Sequence, residues 1–148
     1  MATLTHAGFE EFCVELLSRA DGGEVQTTAL GKDGGIDGYG RLRINSFVSL
    51  PIAFQAKKHD GSGQKISSQE IQNFRGAIGS HIAKGIFITR TTFTEDARKE
   101  AKAPGKIEIE LVDLDRIIEI CEKHRIGLKM EPILVPVQSC FENPLFHK

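Results

Sequence analysis

The apolar positions along this chain fall into runs with two different periods. From Thr5 to Ala20, Phe9, Phe12, Cys13, Leu16 and Leu17 recur at threes and fours, which predicts an amphipathic helix burying one stripe. Asp-Gly-Gly at 21–23 stops it, "EVQTTAL" reads as a short strand, and 36–44 and 50–58 read as two more strands joined near Asn45 and Ser46. After the polar spacer 59–66, Ser67 and Glu70 have capping-box spacing, and Ile71, Phe74, Ile78 and Ile82 mark the apolar side of a second helical segment. "GIFIT" at 85–89 is continuous enough for a strand buried on both faces. Thr94 then caps a helix reaching Ala103, Pro104-Gly105 ends it, "KIEIELV" at 106–112 forms a strand, and Asp113 caps a last helix facing the core with Leu114, Ile117, Ile118 and Cys121.

The order α-β-β-β-α-β-α-β-α predicts an α/β fold, a mixed β-sheet flanked by helices on both faces. A chain of 148 residues fits one domain of ordinary size, and 40% hydrophobic with 26% charged residues is an ordinary globular composition. We place that domain at 1–130. The segment 131–148 carries Pro132, Pro136 and Pro144 and reads as an extended tail, yet Ile133, Leu134, Val135, Val137 and Phe141 are too apolar for a free linker. It is expected to dock on the domain or on a partner subunit.

No apolar run approaches a membrane span and no export signal is visible, so no membrane partner and a cytoplasmic location are expected. The three cysteines and five histidines show neither zinc-ligand nor redox spacing. Net charge is −1, but it is unevenly spread: one arginine stands against five acids in 1–30, thirteen Lys and Arg against seven acids in 31–106, and five against eight in 107–148. The basic middle segment is able to present a phosphate-binding face.

That segment also holds the candidate chemistry. In "IAFQAK" the two-residue period sends Ile52, Phe54 and Ala56 to one face and Ala53, Gln55 and Lys57 to the other. A Gln and a Lys side by side call either for solvent or for a polar site. Asp37 lies within a stretch, 31–40, in which five of ten residues are glycine, and it heads the strand that pairs with the Gln55 strand in a hairpin reading. Asp37 would supply a charged oxygen, Gln55 a neutral one and the Ala56 backbone carbonyl a third, a donor set suited to Mg²⁺. Lys57 is then placed to orient a water or to offset charge developing on a phosphate.

With these residues in view, the sequence resembles the Mrr-like branch of the PD-(D/E)xK nuclease superfamily. The likeness runs through "GFEEFCVELL", "GGIDGYG", "FQAKKH", "FRGAI" and "KGIFITRTTFTEDA", five segments in order. It implies a restriction-endonuclease-like core and Mg²⁺-dependent (or Mn²⁺-dependent) hydrolysis of DNA by Asp37, Gln55 and Lys57, joined by a helical Glu for which Glu10 fits best and Glu11 and Glu15 are alternatives. The proline of the superfamily motif is Ile36 here, whose side chain is expected to point away from the site. Gln55 in place of an acid removes a negative charge, worth roughly 4 kcal/mol at ~4 Å and an effective dielectric of ~20.

Lys32, Lys58, Lys65, Arg75 and Arg90 are candidate phosphate contacts, with ordinary surface charge as the alternative for each, and Thr89, Thr91 and Thr92 are able to add hydroxyls. Asp33 reads as an Asx turn or as a second acidic ligand. A homodimer is expected for duplex cleavage, and a recognition or methyltransferase subunit in another chain is a possible partner. Two rival functions stand beside this one: a non-catalytic DNA-binding or assembly subunit of the same fold, and a junction resolvase-like nuclease.

Overall fold

The computed structural model describes residues 6–20, 24–27, 35–59, 63–125, 128–130 and 134–136. Helix α1 (His6–Ala20) precedes strands β1 (Glu24–Thr27), β2 (Gly38–Arg43) and β3 (Ser49–Lys57); α2 (Ser68–Ala77), β4 (Lys84–Thr89), α3 (Glu95–Ala101), β5 (Ile109–Val112) and α4 (Leu114–Lys123) follow. A separate antiparallel pair, β6 (Leu128–Met130) with β7 (Leu134–Pro136), crosses the boundary expected at residue 130. The remainder of the 131–148 tail, and with it the expected docking, lies outside the described residues.

The sheet order is β1-β2-β3-β4-β5, antiparallel from β1 to β3 and parallel from β3 to β5. Two successive crossovers of one hand, made in one direction across the sheet, bring their helices to one face. Accordingly α2 and α3 share a core with Ala53 and Phe87, built from Ile71, Phe74, Ala97 and Ala101. On the other face, Phe9, Phe12, Cys13 and Leu16 of α1 meet Ile52, Phe54 and Ala56 of β3 and Ile117 and Cys121 of α4. The mixed sheet with helices on both faces is as the sequence predicts, and so is the alternation of β3.

The three expected caps are present. Ser67 and Glu70 close a reciprocal capping box on α2, the Thr94 hydroxyl accepts from the Ala97 N–H, and the Asp113 carboxylate accepts from the Arg116 N–H. The differences are at ends: α2 stops at Ala77, so Ile78 and Ile82, expected on its apolar side, lie in the connection to β4, α3 stops at Ala101, two residues early, and β5 begins at Ile109 rather than Lys106. No described helix is long and apolar enough to cross a membrane.

Gly85 shows how tightly α2 is laid on the sheet. A Cβ there would stand 2.7 Å from Ile109 Cδ1 and 2.9 Å from both Ile78 Cδ1 and Phe74 Cε2. Gly85→Ala is therefore expected to destabilise by roughly 1–2 kcal/mol, overpacking outweighing the backbone gain of losing a glycine, as read from the urea midpoint.

Candidate active site

Asp37 is fixed by the backbone of β3 before its side chain makes any further contact. β2 and β3 pair Gly38 with Phe54, so the residue before Gly38 sits beside the next step of β3. The Asp37 N–H donates to the Phe54 carbonyl at 2.9 Å, and the Asp37 carboxylate accepts from the Ala56 N–H at 2.6 Å. The result is an aspartate only 7% exposed, its carboxylate lying against the strand that carries Gln55 and Lys57. The Ala56 carbonyl leaves that strand on the same edge as its N–H, as extended backbone requires.

Gln55 is brought to the same turn through Gly35. Gly35 has a φ of 99°, and a Cβ on it would stand 3.2 Å from both Gln55 Oε1 and Nε2. The glycine is thus needed twice, for its left-handed backbone and for the close approach of the amide. Ile36, between Gly35 and Asp37, is fully buried and joins the core beneath α2.

Lys57 ends β3 on the Gln55 face, paired in register with Thr89. Its ammonium lies 3.4 Å from Glu70 Oε1, and His59 Nε2 is 3.1 Å from the same oxygen. The sequence pattern offers Glu70 only as a helix cap and leaves His59 without a role at the site. Burial by itself would raise the Glu70 pKa, but the Ser67 N–H, His59 and Lys57 outweigh it and hold the carboxyl below its usual range.

Glu10 approaches from α1. The Cys13 thiol, one helical turn on, is pushed well above its usual pKa, first by burial and then by the charges of Asp37 and Glu10. The charges of both carboxylates thus reach the thiol, which stays protonated. Of the alternatives, Glu11 is exposed and Glu15 is bound to Arg19 at 2.8 Å.

The basic candidates divide. Lys58 directly follows Lys57, Arg90 directly follows β4, and Lys65 precedes Ile66, which bridges to Phe93 just beyond them. These three gather with Lys57 at the carboxyl ends of the parallel strands, where ligands of open α/β sheets bind. Arg75 is engaged elsewhere: its guanidinium binds the Glu100 carboxylate, the Glu100 carbonyl at 2.6 Å and the Ile107 carbonyl at 3.1 Å, tying α2 to α3. The Thr89 hydroxyl is fully buried and accepts from the Thr91 N–H, while that of Thr92 accepts from Arg98. Lys32 and Asp33 lie outside the described residues.

The donor chemistry suits a hard cation. Among the described residues no three His, Cys, Asp or Glu side chains converge as a metal site. One carboxylate, one amide and one backbone carbonyl at a strand end form an all-oxygen set of the kind Mg²⁺ takes while keeping several waters. A cleft of about 580 Å³ between α3 and β5, lined by Glu95, Arg98, Lys102 and Glu110 among others, shares none of these residues.

Comparison with known proteins bears on the family and the fold. Residues 1–121 match the model of the Mrr_cat family, restriction endonuclease. The chain is 29% identical over 134 residues to the type IV methyl-directed restriction enzyme EcoKMrr of Escherichia coli strain K12, a match covering 86% of this chain and 41% of that enzyme. Among solved structures, the DNA modification-dependent restriction endonuclease AspBHI superposes with a TM-score of 0.65 at 26% identity, over 78% of this chain and 30% of that one. The MspJI restriction endonuclease, solved in complex with a 27-mer oligonucleotide, shares the fold with a TM-score of 0.59 at 17% identity, over 76% of this chain and 26% of that one. The chain spans less than half the length of each of these relatives.

Proposed function

The chain belongs to the Mrr_cat family of restriction endonucleases, and from that premise we propose that it is a metal-dependent DNA endonuclease cutting phosphodiesters at the carboxyl end of β3. The observation that carries this reading is the 2.6 Å contact between the Asp37 carboxylate and the Ala56 N–H, which joins the acid to the strand of Gln55 and Lys57.

Asp37, Gln55 and the Ala56 carbonyl would hold Mg²⁺, or Mn²⁺ in its place. Such an ion supplies Lewis-acid polarisation of the scissile phosphate and a lower pKa for the attacking water. Glu10 adds a second carboxylate on the Asp37 side. Lys57 puts a positive N–H donor where charge grows on the phosphate. Lys58, Lys65 and Arg90 fix the flanking phosphates and carry no sequence information. One such site cuts one strand, so a homodimer accounts for a duplex break. Target choice is assigned to a recognition module outside the nuclease domain, a separate recognition or methyltransferase subunit being one form of it, and the enzyme works on DNA in the cytoplasm.

Supercoiled plasmid provides the test. Nicking is expected with Mg²⁺ or Mn²⁺, to vanish in chelator, and to return when the cation is restored. Cutting undiminished by chelator would remove the metal from the scheme. DNA binding with a steep salt slope, about −0.9 per neutralised phosphate, but without any cation-dependent cutting would favour the non-catalytic alternative.

A further inference from the structure

Glu70 holds two elements at once. Its Oε2 accepts from the Ser67 N–H at 3.0 Å, closing the capping box of α2, and this fixes the carboxylate relative to the helix. Its Oε1 is thereby presented to the end of β3, 3.4 Å from Lys57 Nζ and 3.1 Å from His59 Nε2. His59 has a φ of 47°, a left-handed conformation uncommon for a side-chain-bearing residue, and this turn in the chain two residues after Lys57 accompanies the imidazole's contact with the carboxylate. The Glu70 side chain is 18% exposed, whereas that of Lys57 is 39% exposed. A lysine stem of four carbons has rotamer freedom to lose, and an exposed one does not hold a single geometry unaided.

We propose that Glu70, steadied by Ser67 and His59, is a positioning residue that anchors the Lys57 ammonium at the cutting edge of β3. The proposal rests on the catalytic reading of Lys57 given above. It makes the N-terminus of α2 part of the machinery: the same carboxylate that starts the helix sets the reach of the lysine.

Glu70→Gln separates the two duties, since glutamine also serves in a capping box but carries no charge. Relative to wild type, this variant is expected to keep its melting temperature within about 3 °C and its DNA affinity, while the single-turnover nicking rate falls on the order of tenfold or more. Relaxation of the Lys57 Cε–H groups by NMR is expected to show a more mobile side chain in Glu70→Gln. A variant that cuts at the wild-type rate, that loses melting temperature in step with activity, or that leaves Lys57 equally ordered overturns the proposal. Should wild-type protein cut no DNA, the catalytic reading of Lys57 falls, and the NMR comparison alone decides whether Glu70 holds it.

Discussion

Lys57→Ala is expected to lower metal-dependent plasmid nicking by about 10²–10³-fold, the usual cost of removing one donor aimed at developing charge. The same change is expected to leave the fold nearly untouched. Lys57 is half-buried at a strand end and its ion pair with Glu70 is partly solvated, so its loss costs about 0–1 kcal/mol. Binding of a DNA duplex is expected to weaken only slightly, because Lys58, Lys65 and Arg90 remain at the same end of the sheet. The measurement is single-turnover nicking at saturating Mg²⁺, with the urea midpoint and DNA affinity taken on the same preparations. Equal nicking by wild type and variant would remove Lys57 from the chemistry, and loss of DNA binding in step with nicking would make it a phosphate contact only. Lys57→Arg is expected to rescue poorly, since a planar guanidinium on a longer stem does not reproduce a compact ammonium held by Glu70.

Much of this arrangement is legible in the sequence because it is local. Alternation along 52–57 separates the core residues from Gln55 and Lys57 whatever the strand pairs with, and the Ser67, Thr94 and Asp113 caps are complete within one helical turn. What depends on distant pairing is less legible. The register of Gly38 against Phe54 decides that Asp37 meets the Ala56 N–H, and nothing near Asp37 in the chain fixes that register. Arg75 reads as a free surface cation until Glu100, 25 residues on, is brought beneath it by the packing of α3 on α2. "KIEIELV" alternates along its full length, but β4 begins at Lys84 and offers ladder partners to β5 only from Gly85 against Ile109, which shortens the strand. Glu70 is the instructive miss: its spacing from Ser67 fully accounts for it as a cap, so the sequence carries no residual signal for the oxygen that faces Lys57.

Phe87→Ala is expected to be the most damaging single core truncation on the face that supports the site, at about 3–5 kcal/mol. Phe87 is fully buried in the central part of β4, next in register to Gln55, and its ring meets Phe74 of α2 edge-on at 5.6 Å and Phe93 at 5.9 Å. Removing it opens a cavity and breaks two aromatic pairs, each worth about 0.5–1.5 kcal/mol beyond its buried area. Domains of this size have only about 5–15 kcal/mol in total, so the urea midpoint should fall steeply. Phe87→Leu, which keeps most of the volume, is expected to cost markedly less. The consequence reaches the chemistry because Phe74 and Glu70 lie on the same short helix, one turn apart. If α2 settles into the vacated space, Glu70 moves and Lys57 loses its anchor, so nicking in Phe87→Ala should fall below what its folded fraction explains. Activity strictly proportional to folded fraction would show instead that the Glu70 end of α2 is held by its cap and by Arg75–Glu100 independently of the aromatic core.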